Sequence, residues 1–209
     1  MPHPGRVWGA LALLYLAFFV WYTPLSGPLE PAEIEAFVAA LEADGRDPIA
    51  IARWRAFFEG DTGGDFAMVN LIALRDAPLA APGVGPDESA EEVLGRYTRP
   101  FLGRALASGA HPVFMGGAAG EALDLWGIDG GRDWSLAGLV RYRSRRDVME
   151  QVLHTLGTGD HVYKQAAIEK TIAVPLDPWL QLGDPRLLLL LLLGNVGLAW
   201  HLHCARKRV

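Results

Sequence analysis

The sequence predicts an α+β domain carried between two membrane-spanning helices. Three observations point there. Long apolar runs stand near both ends of the chain, Val7 to Tyr22 and Leu187 to Leu202, with basic residues only on their outer sides. Between them, apolar residues recur at helical spacing in some segments and crowd into short strand-like runs in others. Ser, Asp, Pro and Gly fall where those helices would start and stop.

Each terminal run amounts to about 24 Å of helix, the short end of what crosses a bilayer. Trp8, Trp21, Tyr22, Trp179 and Trp200 lie near the run ends, where amphipathic rings settle at the headgroups. Arg6 precedes the first run, and Arg206, Lys207 and Arg208 follow the second. The positive-inside rule then puts both termini in the cytoplasm and everything between them outside. A cleaved leader is a poorer reading of the first run, because Leu25-Ser26-Gly27-Pro28 offers a large residue and a proline where signal peptidase wants neither. A C-terminal sorting tail is likewise the weaker reading of the second. The bias to Ala, Gly, Arg and Pro suggests a bacterial source, so the expected place is the inner membrane, with a periplasmic domain.

All 24 acidic residues lie between the runs, against 15 of the 19 basic ones, which leaves the domain near −9. Nucleic acid is not an expected partner, since phosphate binding needs a basic footprint. The single cysteine, Cys204, lies beyond the second run, so the domain has no disulfide.

Four regions follow: residues 1–27, anchor and linker; 28–64, a helical extension; 65–180, the α+β domain; 181–209, the second anchor and basic tail. In the extension, Ile34, Phe37, Val38 and Leu41 recur at i, i+3, i+4, i+7, and Gly45 stops that helix. Asp47 caps the next, with Pro48 at its first position and Ala50, Ile51, Trp54, Phe57 and Phe58 on one face. Phe66 to Arg75 is too apolar for an exposed strand and reads as a central one. Ser89 to Glu92 is a capping box opening a helix that Pro100 should kink or split. His111 to Met115 begins a second strand. Trp134 to Arg143 is a third, with Leu136, Gly138, Val140 and Tyr142 on one side. Ser144 to Asp147 caps a helix with Val148, Met149, Val152, Leu153 and Leu156 as its buried stripe, stopped by Gly157 and Gly159. Asp160 caps a short helix through Lys170, and Ile172 to Leu176 is the last strand.

From Phe66 onward the order is βαββαβ, the ferredoxin-like arrangement of an antiparallel sheet with its helices on one face. The larger row of the Phe66 to Arg75 strand, Phe66, Met68, Asn70, Ile72 and Leu74, should face those helices. The smaller row, Ala67, Val69, Leu71, Ala73 and Arg75, then needs another cover. The two N-terminal helices are the expected one, with a second copy of the chain as the alternative.

FAMVNLIALR, the helix ending Tyr97-Thr-Arg-Pro-Phe101, the turn Gly109-Ala-His-Pro-Val113 and LAGLVRYRSRRDVMEQVL together resemble uncharacterised ferredoxin-like domains of the dimeric α+β-barrel superfamily. The resemblance covers about 110 residues and implies the fold rather than an activity. That superfamily includes cofactor-independent oxygenases and haem-degrading monooxygenases, some with an asparagine on the first strand and a histidine and tryptophan on the last helix. Asn70 matches that asparagine by position. No tryptophan lies on the helices after the third strand, so haem binding is not expected and no cofactor is assigned.

Three residues are ligand-binding candidates: Asn70, His154 and His161. Asn70 places an amide in an apolar row, where it either bonds nearby backbone or orients a ligand. His154 and His161 flank the Thr155 to Asp160 break, with Glu150 one turn before His154, a pair too common on helices to assign a metal. In the second run, Asn195 should seek a helix partner, with Gly194 and Gly197 allowing close approach. No nucleophile elbow, zinc spacing or catalytic triad is present. The leading expectation is therefore an accessory or scaffold subunit of a membrane complex, partnered by a membrane protein or by itself. The alternatives are a small-molecule-binding domain and an oxygenase or haem-handling enzyme.

Overall fold

The computed structural model describes residues 3–207; Arg208 of the expected basic tail lies outside them. It divides into two compact units, Ser26–Asp177 and the pair of terminal segments on either side.

The terminal unit holds two helices long and apolar enough to cross a membrane: α1 (Pro4–Tyr22) and α7 (Pro185–Arg206). Both outrun their apolar stretches because their starts are capped. The His3 ring accepts from the Gly5 amide at 3.2 Å, the Asp184 carboxylate accepts from the Arg186 amide at 2.8 Å, and a proline opens each helix. The two helices pack on each other. At Gly197 they meet closely, since a Cβ there would come within 2.6 Å of the Trp8 ring. Gly194 has open space around it. The Asn195 amide donates to the Leu191 carbonyl at 2.7 Å, inside its own helix.

The other unit contains five helices, α2 (Pro31–Ala43), α3 (Pro48–Glu59), α4 (Ala90–Ala107), α5 (Arg145–Thr158) and α6 (His161–Ala167). Its strands are β1 (Phe66–Leu74), β2 (His111–Gly117), β3 (Leu136–Tyr142) and β4 (Ile168–Leu176). The sheet order is β2-β3-β1-β4, antiparallel at every pairing. Helix starts fall on the expected caps: Asp47 accepts from the Ala50 amide at 3.0 Å, and Ser89 and Glu92 close a capping box. Three local expectations change. The helix containing Pro100 is not split in two; α4 runs on through it, with that proline on an exposed side. Helix α6 ends at Ala167 rather than Lys170, because Ile168 already pairs with Leu74 and the chain from there is strand. Leu153 stays out of the α5 core stripe, on the exposed side.

Cross-strand partners share a face, so the register separates the two sides of the sheet. Phe66, Met68, Asn70 and Ile72 lie opposite Tyr142, Val140, Gly138 and Leu136. This is the larger row, and it packs on α4, α5 and α6 as expected. The expectation that α2 and α3 cover the opposite face is wrong. They join the same helical layer, in one core with Phe66, Met68, Val140 and Tyr142. A chain of rings explains the placement: Phe37 meets Phe58 edge-on at 4.8 Å, Phe57 meets Phe66 at 5.2 Å, and Phe66 stacks on Tyr142 at 5.3 Å. Arg146 at the start of α5 then grips Glu33 of α2 at 2.8 and 2.9 Å. The far face is left with Val69, Leu71, Leu139, Ile172 and Val174, none of which belongs to either core cluster of this unit. Ile172 is 38% and Val174 42% exposed.

Candidate small-molecule cleft

Placing α2 and α3 beside α4, α5 and α6 creates a cavity inside the helical layer. Its volume is about 150 Å³. Helix α3 contributes Ala50 and Trp54, one turn apart, and α4 contributes Tyr97 and Phe101 at i, i+4. Leu41 and Arg46 come from α2 and the turn after it, where Gly45 takes a φ of 72° that a side chain would resist. Val152, Thr155 and Leu156 of α5 and His161 and Lys164 of α6 close the rest. A second, more open space of about 310 Å³ shares Arg46, Thr155, Leu156 and His161 and adds Asp44, Gly159 and Gln165. The site is thus an apolar, aromatic chamber with a polar mouth.

The rings are ordered. Tyr97 stacks on Phe101 at 5.4 Å, and His161 stands edge-on to Tyr97 at 6.3 Å. Trp54 is stacked on Phe58 at 5.5 Å and held edge-on by Phe37, so its indole is positioned by the core behind it. Lys164 Nζ lies 5.5 Å from the centre of the Tyr97 ring, a cation–π contact. The electrostatics follow from burial. Tyr97 is pushed up to about 12, so its hydroxyl stays a donor at all ordinary pH. His161 is lowered to about 4 by burial, then by the neighbouring cations Arg46 and Lys164, against an opposing pull from Asp44. Its ring is therefore neutral at pH 7, with one donor and one acceptor nitrogen. Burial and Arg46 also lower Lys164. Arg46 is held by Asp44, Nε to Oδ2 at 2.6 Å. Lys164 has no carboxylate partner among the described residues.

Of the candidates read from sequence, only His161 lines the cleft. His154 is exposed on α5, and no group of three metal-ligating side chains occurs among the described residues. Asn70 lies between Gly138 and Ala173 in the sheet, and its amide donates to the Met68 carbonyl at 3.2 Å. It bonds its own strand, and the cleft forms without it. Arg46, Trp54, Tyr97 and Lys164 are the functional candidates that sequence reading misses. Lys164 alone carries a signal: this chain uses arginine almost throughout and has only three lysines, one of them a single turn beyond His161.

No family model matches the chain, and no curated protein does. Among solved structures it is similar to RPA0582, a protein of unknown function from Rhodopseudomonas palustris. One crystal structure of that protein, in methylated form, matches with a TM-score of 0.52 at 23% identity, covering 66% of this chain and 96% of that one. A second matches with a TM-score of 0.50, again at 23% identity, over 65% and 96%. The likeness is one of fold.

Proposed function

We propose that this chain is an inner-membrane protein whose periplasmic domain binds a small molecule in the cleft between α3 and α4, α5 and α6. On this reading α1 and α7 are its anchors, both termini are cytoplasmic, and the domain is ferredoxin-like, of the dimeric α+β-barrel type. The strand order β2-β3-β1-β4 supports that fold, and the outward basic residues support that orientation. One observation carries the binding reading: an aromatic chamber of about 150 Å³ holds an amine with no carboxylate partner among the described residues. Ligand sites are concave, mostly apolar and marked by a few converging polar groups, and this cleft has that make-up on a small scale.

The test is a thermal-shift and native-mass screen of small ring compounds on the purified full chain. Ala50→Trp, which fills the chamber, serves as the control. The reading expects bound mass and raised melting temperature in the parent chain, and loss of both in Ala50→Trp. A parent chain that takes up none of the compounds overturns it.

A second reading, an accessory or scaffold domain that associates with itself, draws on the open sheet face. Val69, Leu71, Leu139, Ile172 and Val174 form an apolar patch that the domain's own helices leave alone. The two readings are compatible, since cleft and patch lie on opposite sides of the sheet. An oxygenase draws no support from the geometry, because Asn70 does not line the cleft and donates its amide to its own strand.

A further inference from the structure

The chemistry of the ligand can be narrowed, on the reading that the cleft is a binding site. We propose that it takes a small monocarboxylate with a body the size of one six-membered ring, the ring among Trp54, Tyr97 and Phe101 and the carboxylate against Lys164 and Arg46 at the mouth.

Size comes first. A cavity of about 150 Å³ lined by apolar side chains accepts a molecule of benzene's volume, and the chamber here measures about 150 Å³. Its walls suit a flat ring. Tyr97 and Phe101 present a stacked pair, and Trp54 is a broad face fixed from behind by Phe37 and Phe58. The polar groups do not ring the chamber. They gather where it joins the outer space, at Arg46 and His161, with Lys164 beside them. A ligand that satisfies both zones is apolar at one end and polar at the other.

Charge sets the polar end. Four chargeable groups surround the polar end: Arg46 and His161 line both spaces, Lys164 the chamber and Asp44 the outer space. Asp44 is already engaged by Arg46, and the imidazole is neutral at pH 7. The uncompensated group is the Lys164 amine, which favours an anion. A cationic ligand would compete for the Tyr97 ring, which Lys164 already overlies. Arginine and lysine together also match a carboxylate's two oxygens, whereas a neutral hydroxyl would leave one donor unmet.

Isothermal titration of the full chain in detergent at pH 7 compares benzoate, benzyl alcohol and benzylamine, three ligands with one ring and different charge. Benzoate should bind about tenfold or more tighter than either of the others. Lys164→Met should bring benzoate down to the level of benzyl alcohol, and an unchanged near-ultraviolet spectrum would certify its fold. Arg46→Gln gives a second route, with a smaller loss of the same preference. Equal binding of benzoate and benzyl alcohol by the parent chain overturns the carboxylate and leaves the cleft standing as an apolar site. A benzoate preference that survives in both variants also overturns it. Binding of none of the three, with Ala50→Trp indistinguishable from the parent, overturns the cleft itself.

Discussion

Arg141 is the largest side chain fully withdrawn from water, 1% exposed, and it is answered on two sides. Nη2 and Nε reach Asp65 at 2.8 and 3.2 Å, and Nη1 donates to the Gly109 carbonyl at 2.9 Å. The guanidinium thereby ties the start of β1 to the turn before β2. Asp65→Asn would strand a buried charge, which should cost about 3 kcal/mol; thermal unfolding reads this directly, and an unchanged midpoint would refute the tie. His161 makes a second residue-scale prediction. Its folded value of about 4 lies below the ordinary 6.5 because burial and two cations disfavour the imidazolium. As pH falls from 6.5 to 4 the unfolded chain takes a proton that the folded one refuses, so stability drops across that window and this group adds nothing further below it. Glu33 acts lower down. Hydrogen bonding from Arg146 holds it at about 2 rather than 4.5, so its contribution, present above 4.5, is lost as pH falls toward 2. Melting temperature followed against pH should show the upper limb vanish in His161→Asn and the lower one persist. A profile unchanged by that substitution would contradict the buried, neutral imidazole.

Among elements, α2 and α3 carry the main departure from what periodicity and caps alone lead one to expect. Phe37 is fully buried and shares one core with Phe66, Val140 and Val148. Phe37→Ala should therefore lower stability by about 3–5 kcal/mol, and the whole domain should still melt in one transition. A separate early transition would show the two helices to be a loosely attached extension. Their existence was legible in sequence because Ile34, Phe37, Val38 and Leu41 keep one stripe, and because Asp47-Pro48 is an unambiguous start. Their side of the sheet was not. A stripe says that a helix buries a face, and nothing in its spacing says against which surface. The deciding contacts, Phe57 on Phe66 and Arg146 on Glu33, join positions far apart in the chain. The β1 row was legible for the opposite reason, since strand alternation assigns sides locally and bulk chooses the inner one. The cleft shares the fate of the helices that frame it. Its residues come from five segments, each of which reads as ordinary core or surface, and only packing brings Trp54, Tyr97 and Lys164 together.

At the scale of the whole molecule, the open sheet face and the two apolar helices make separate demands. Reporters fused at either terminus should be active only in the cytoplasm, and one inserted near Pro82 only outside; cytoplasmic activity from the Pro82 site would remove the periplasmic assignment. The sheet face calls for a different measurement. Val69 lies at its centre, between Leu139 and Val174, on the side that the domain's own helices do not cover. With α2 and α3 committed to the other layer, the expected alternative, a second copy of the chain, is the cover to test. Two domains near −9 repel each other, so an association driven by this apolar patch should tighten with salt as that repulsion is screened over a Debye length of about 8 Å at physiological ionic strength. Val69→Lys places a charge in the patch and should convert a dimer of the full chain to a monomer, while leaving its melting temperature nearly unchanged, because the site is already half-open in the single copy. Native mass spectrometry and sedimentation in mild detergent would read the conversion. A monomeric parent chain would remove self-association through this face. A dimer that survives Val69→Lys would move the contact to α1 and α7, where only a substitution such as Gly194→Leu, at a position open in the single chain, could then weaken it.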